Sequence, residues 1–197
     1  MSLEMMQSDD WSIRHDVSRR IDPSRLHEMM GDTHWTVRWE VSRRIDPSLL
    51  PKMMLDSNEE VRWEVSRRID SSWLPEMMKD PAWTVRLEVA RRIDPSLLPE
   101  MMWDKNPDIR IVVTRRIEPS RLTHMLGDPD WRVRFEAARR IEPSLLPEMM
   151  LDEHWGPRFE VAKRISPRYL SGMLLRETSL YVVTLLQDRI RPSSRSR

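Results

Sequence analysis

Apolar residues come in short bursts with a four-residue step. Val37, Val41 and Ile45 make one burst, and near-copies of it recur along the chain. That step marks the buried stripe of an amphipathic helix, and the polar residues between belong to its outer face. Beside the stripe runs a column of small residues, Ser18, Ser42, Ser66, Ala90, Thr114, Ala138 and Ala162, which lets neighbouring helices come close. Each burst ends at an acid-Pro-Ser step such as Asp46-Pro47-Ser48. The residue before a proline is pushed out of the α region, so the helix stops there. The acid is placed to cap the next segment, with proline in its first turn. A second proline often follows four residues on, as in Pro47 and Pro51, Pro95 and Pro99, Pro143 and Pro147. Two prolines in about eight residues suit a short 3₁₀ turn better than a full α-helix. Leu50 and Met53 are expected to point from this turn into the core. The methionine column (Met29, Met53, Met77, Met101, Met125, Met149, Met173) reads as packing filler.

The unit repeats strictly. Asp32, Asp56, Asp80, Asp104, Asp128 and Asp152 stand 24 residues apart without a slip, and seven copies fill residues 8–175. Self-similarity at that period means a solenoid, in which each unit buries its apolar face only against its neighbours. The opening Asp is expected to cap the α-helix start. Met5 and Met6 lie in phase with the later methionine pairs, so residues 1–7 read as a half-repeat cap. Over 176–190 the period breaks, and Leu180, Tyr181, Val182, Val183, Leu185, Leu186 and Ile190 fit a closing helix over the last repeat. Residues 191–197 are polar and basic, and disorder is expected there.

Composition narrows the function. Apolar residues make up 39% and charged residues 33%, which suits an elongated protein with a thin core. The net charge of +1 gives no bulk field for nucleic acid or acidic lipid. Cysteine is absent, which excludes disulfides, thiolate metal sites and a cysteine nucleophile. No apolar run approaches membrane-spanning length, and the first residues form no signal peptide, so a soluble cytoplasmic protein is the expectation.

The motif D-x4-V-R-x2-V-[AST]-R-R-I-[DE]-P-S-x-L resembles the leucine-rich repeat variant family, and the match covers all seven units. The resemblance implies an all-α fold, with α and 3₁₀ helices alternating in a right-handed superhelix. The Asp-to-Arg spacing is also similar to that of HEAT and armadillo-like repeats, but a unit of this length cannot hold two full α-helices. Some family members carry an N-terminal cysteine cluster for an iron–sulfur centre. This chain has no cysteine, so that cofactor does not carry over, and none is expected. The family brings no established activity.

Three columns bear on function. Arg14, Arg38, Arg62, Arg86, Arg110, Arg134 and Arg158 stand six residues into each unit. They read as a structural ladder that pairs with the Asp column of the same or an adjacent unit. Doubled basic residues follow, from Arg19-Arg20 to Lys163-Arg164, and the first of each pair points away from the apolar stripe. Four residues before that outward cation stands a large side chain, so Trp39 lies over Arg43, Trp63 over Arg67, Leu87 near Arg91, Phe135 over Arg139 and Phe159 near Lys163. An aromatic ring and a guanidinium at this spacing make a cation–π pair. The glutamates between, Glu40, Glu64, Glu88, Glu136 and Glu160, are placed to pair with either basic residue. Repeat five departs from the pattern. Ile111 and Val112 replace the aromatic and the glutamate, which leaves Arg115 and Arg116 without a local carboxylate. The stripe is either a solvated, internally neutralised face or a binding surface of hot-spot composition.

Other chemistry is sparse. The five histidines share no metal-like spacing, the four glycines form no phosphate loop, and the Ser residues of the turns have no His and Asp beside them. The expectation is a non-catalytic scaffold, without a metal or small-molecule substrate, that binds a protein or peptide along the stripe. The alternative is nucleic-acid binding through the arginine columns. A HEAT-like enzyme acting on DNA bases is disfavoured, because no unrepeated acid cluster is present.

Overall fold

The computed structural model describes residues 3–191, so the expected disorder of 192–197 lies outside the described residues. Among these residues helix is the only regular structure. The chain divides into two units, residues 1–97 and 98–197. The first holds α1 (Leu3–Met6), α2 (Trp11–Arg20), α3 (Trp35–Arg44), α4 (Glu59–Arg68), α5 (Leu74–Met77) and α6 (Trp83–Arg92). Between them lie the 3₁₀ segments Pro23–Met29, Pro47–Met53 and Ser71–Trp73, and a further one, Pro95–Met101, carries the unit boundary. The second unit holds α7 (Pro107–Arg116), α8 (Trp131–Arg140), α9 (Trp155–Arg164), α10 (Leu170–Leu174) and α11 (Leu180–Ile190), with 3₁₀ segments Pro119–Met125, Pro143–Met149 and Pro167–Tyr169. The alternation of α and 3₁₀ helix is the one the repeat predicts.

The core follows the columns. Val37, Val41, Ile45, Leu50 and Met53 are buried, and so are their counterparts in other repeats except Ile13 of the first, which is exposed. The small column is closed to solvent throughout, from Ser18 to Ala162. Ser42 and Ser66 spend their hydroxyls on the carbonyls of Trp39 and Trp63, both at 2.7 Å. A buried serine is thus satisfied within its own helix.

The ends of the α-helices differ from expectation in two ways. Those that run into a proline step, such as α3, stop one residue earlier than the proline alone requires. Ile45 already has an extended backbone (φ −61°, ψ 154°), which turns its side chain into the core. At the other end, the opening Asp is not the N-cap. Helices α4, α7 and α8 are capped two residues later, where the side chains of Asn58, Asn106 and Asp130 accept the N–H of Glu60, Asp108 and Arg132. Asp32 instead accepts the N–H of His34 at 2.8 Å and holds an arginine of the preceding repeat. The acids of the turns cap only where they are Asp: Asp22, Asp46 and Asp70 accept from Ser24, Ser48 and Ser72, whereas Glu118 and Glu142, a methylene longer, make no side-chain cap bond. That bond with serine holds each of these Asp carboxyls below its ordinary pKa.

The closing helix is a displaced repeat. Glu177 and Arg189 stand one residue later than the period puts an Asp and a second arginine. They do the same work. Glu177 takes Arg158 in a bidentate pair at 2.7 and 2.8 Å, and Arg189 donates to the Ala162 carbonyl at 2.6 Å. Val182 and Leu186 are fully buried, so α11 covers α9 with the lattice's own contacts.

Candidate functional site

The inner arginines are consumed by the lattice. Arg38 donates from Nε and Nη2 to both carboxylate oxygens of Asp56, at 2.6 and 2.8 Å, and from Nη1 to the Asp32 carbonyl at 2.7 Å. One side chain thus ties its own repeat's loop to the next repeat's Asp. Arg14–Asp32 and Arg62–Asp80 repeat this in the first unit, and Arg110–Asp128 and Arg134–Asp152 in the second. In each of these pairs the partner belongs to the following repeat, which answers there the choice the sequence left open. Burial pushes the Asp32 carboxyl up, but the Arg14 guanidinium and the His34 N–H outweigh it and hold it below the usual carboxylate range. Arg62 is raised in turn by its bond to Asp80.

The second arginine of most doublets has a role that sequence reasoning missed. A helix that ends without a left-handed cap leaves its last carbonyls unpaired. Arg44 reaches back to the Ser18 and Ile21 carbonyls, Arg68 to those of Ser42 and Ile45, and Arg92 to those of Ser66 and Ile69. In the second unit, Arg140 and Arg164 do the same for Thr114 and Ile117, and for Ala138 and Ile141. A positive fork at a helix C-terminus also suits the dipole. Backbone acceptors leave no mark in a sequence, which is why the doublet reads there as one outward feature.

From Arg43-Arg44 onward the first cation of each doublet is the one that faces solvent; in the first doublet Arg20 is exposed as well, beside Asp16. In the first unit, the Arg43 guanidinium lies 4.8 Å above the Trp39 ring and that of Arg67 4.9 Å above Trp63. In the second, Arg139 lies 5.9 Å from Phe135 and the Lys163 ammonium 5.7 Å from Phe159. Each cation also holds the glutamate three residues before it: Arg43–Glu40 at 3.1 Å, Arg67–Glu64 at 2.9 Å, Arg91–Glu88 at 3.3 Å and Arg139–Glu136 at 3.3 Å. The two partners are unequally exposed. The Arg67 side chain is 48% exposed and that of Glu64 only 5%. What meets solvent is therefore the cation, with its carboxylate underneath.

Repeat five is not the open patch the sequence suggested. Ile111 is buried, at 8% exposure, and packs in the protein where an outward contact was expected. Val112 and Leu87 are half-buried. Arg115 does not lack a carboxylate, because it reaches the next repeat and binds Glu136 at 2.6 Å. Arg116 is engaged as well. Glu136 thereby serves both Arg115 and Arg139.

A second aromatic feature lies one helical turn before the stripe, at the α-helix starts. Trp11 stacks on His34 at 4.1 Å, and His34 stands 6.3 Å from Trp35. In the second unit Trp131, His154, Trp155 and Tyr181 follow one another at 4.0, 5.7 and 5.5 Å. Trp131 and Trp155 meet Phe135 and Phe159 edge-on at 6.4 Å, which joins this ladder to the cation–π row. The equivalent slots of His34 and His154 were the available signal, since a flat side chain there falls between two tryptophans.

No group of His, Asp or Glu is placed to hold a metal ion among the described residues, and no helix there is long and apolar enough to cross a membrane.

No family model and no curated protein matches the sequence. Solved structures do. A leucine-rich repeat variant, described as having a novel repetitive structural motif, superposes with a TM-score of 0.88 at 27% identity, over 94% of this chain and 79% of that one. The Escherichia coli protein YibA matches with a TM-score of 0.50 at 16% identity, over 93% of this chain and 97% of that one, a likeness of fold alone. With its alternating α and 3₁₀ helices and its Asp–Arg ladder, the chain is a solenoid of the leucine-rich repeat variant type.

Proposed function

We propose that the chain is a non-catalytic scaffold that binds a protein or peptide along the aromatic and cationic stripe. The observation that carries this reading is the outward row of cations stacked on rings above buried glutamates, best formed at Trp39–Arg43 and Trp63–Arg67. Ring stacking and the carboxylate beneath hold each guanidinium in place, so little side-chain freedom remains to be lost on binding. Tryptophan and arginine are the side chains that dominate interface energetics. The contact residues are Trp39, Arg43, Trp63, Arg67, Leu87 and Arg91 in the first unit, and Val112, Arg115, Phe135, Arg139 and Phe159 in the second, with Ile111 beneath them as support.

The same geometry favours protein over nucleic acid. Two of the three arginine columns are committed to Asp side chains and helix carbonyls, so they cannot track phosphates. Base stacking needs open ring faces, and one face of Trp39 and of Trp63 is already covered. The test is affinity capture from the native host with the wild-type chain and with an Arg43→Ser/Arg67→Ser variant, each with and without nuclease. A protein retained after nuclease by the wild type and lost by the variant supports the reading. Retention by both, or loss on nuclease treatment, refutes it.

A further inference from the structure

The stripe of the first unit also specifies a partner chemistry, and the inference rests on the stripe being the binding face. We infer that it takes an extended acidic peptide with a carboxylate at every third residue. Three cations follow one another there, Arg43, Arg67 and Arg91, one per repeat. Each binds its glutamate through Nη1 alone, so the Nε–Nη2 edge is open to a second, bidentate carboxylate. The glutamates beneath are 5–15% exposed and present little negative charge to a ligand. The acids of the adjoining turns, Asp46 and Asp70, are exposed anions, but each is turned onto the N–H of its own serine, Ser48 and Ser72, and away from the row's guanidinium edges. The surface offered to a ligand is thus a line of held guanidinium groups.

Spacing selects the ligand's shape. Packed helices stand about 8–10 Å apart, which sets the step between successive cations. An extended polyproline-type chain rises about 3.1 Å per residue with three residues per turn. Every third side chain then falls on one face, about 9 Å from the last, in step with the repeats. A carboxylate at each such position meets one arginine per repeat, and the residues between lie along Trp39, Trp63 and Leu87.

The experiment is fluorescence anisotropy on the full chain with labelled synthetic peptides. One carries glutamate at every third position in a proline- and alanine-rich background. A second has the same composition with the glutamates clustered, a third has lysine in their place, and a single-stranded oligonucleotide is the remaining probe. The expected result is binding of the first peptide at least about tenfold tighter than the second, with none of the third. Arg43→Gln/Arg67→Gln should remove that binding while leaving the circular dichroism unchanged and the urea transition cooperative, with only a small drop in midpoint. Equal binding of the two acidic peptides overturns the spacing argument, and tighter binding of the oligonucleotide overturns the choice of a peptide. If no peptide binds but capture from the host still depends on Arg43 and Arg67, the partner chemistry is wrong and the binding face stands. If that capture is also insensitive to both arginines, the binding face itself fails.

Discussion

Arg38, Arg43 and Arg44 stand close in one helix and do three different things. Arg38 is buried against the next repeat's Asp56, Arg43 rides on Trp39 in solvent, and Arg44 caps the helix before it. The first role is legible in the sequence because an Asp column stands ready at matching spacing. The second is legible from the four-residue step between ring and cation. The third is not, since its acceptors are main-chain carbonyls. Nor can the fates of Ile111 and Arg115 be read, because both depend on which neighbouring helix lies within reach. The carbonyl cap gives a residue-level prediction. Only a fork spans two carbonyls, so Arg68→Lys should cost about 1 kcal/mol in a thermal or urea melt despite keeping the charge. The carboxylates give another. Asp32 and Glu177 sit below their ordinary pKa because, against burial, Arg14 and Arg158 favour the ionised forms. Such groups stabilise the fold fully above the unfolded carboxylate range, and that contribution disappears as pH falls through their lowered values. Melting temperature should therefore be flat from neutrality to about pH 5 and fall below about pH 4. A chain that loses stability between about pH 7 and 6 would point to histidine in place of the ladder.

At the scale of the element, the α-helices and 3₁₀ turns follow directly from the apolar period and the Asp-Pro-Ser step. The second proline is not what makes the turn. Pro23–Met29 and Pro119–Met125 carry His27 and Thr123 at that position and are 3₁₀ all the same. Ser71–Trp73 lacks the first proline, keeps Pro75, and passes into the α turn Leu74–Met77. The helix caps lie two residues from where the sequence puts them, because an Asp that must hold an arginine is drawn away from the helix start. Two glycines test the packing around these elements. A Cβ at Gly172, inside α10, meets nothing within 4 Å, so Gly172→Ala should raise stability by up to about 1 kcal/mol through helix propensity. A Cβ at Gly156 lies 3.1 Å from the Trp131 ring and 3.2 Å from His154 Nδ1. Gly156→Ala should gain no stability, and it should change the near-ultraviolet circular dichroism as the Trp131–His154 stack gives way. A stabilised Gly156→Ala with an unchanged aromatic signal would show that the stack has room.

For the molecule as a whole, the repeat alone makes the architecture readable, and the match to a solved repeat variant at 27% identity shows how little shared sequence that architecture needs. In this chain the positions that hold it are the apolar step, the small column, the Asp–Arg ladder and the second arginine. The proposed binding surface is only half legible. In the proposed stripe the cation recurs in every repeat while the large side chain beside it changes from Trp to Leu, Ile and Phe, and the repeat gives no account of what such a surface binds. The closing helix reads as a cap but not as a displaced repeat, since one extra residue hides Glu177 and Arg189 from the period. The account turns on the division between an inner arginine column that builds the stack and an outer one free to meet a partner. The most direct test is urea unfolding of Arg62→Ala beside Arg67→Ala, two arginines of one helix. Removing Arg62 deletes a two-bond clamp on buried Asp80 and its bonds to the Asp56 and Ser57 carbonyls, and should cost about 3 kcal/mol or more, whereas Arg67 gives up a single bond to Glu64 and should cost about 1 kcal/mol. Equal losses, or a larger loss at Arg67, would make the outer column part of the stack and contradict the account.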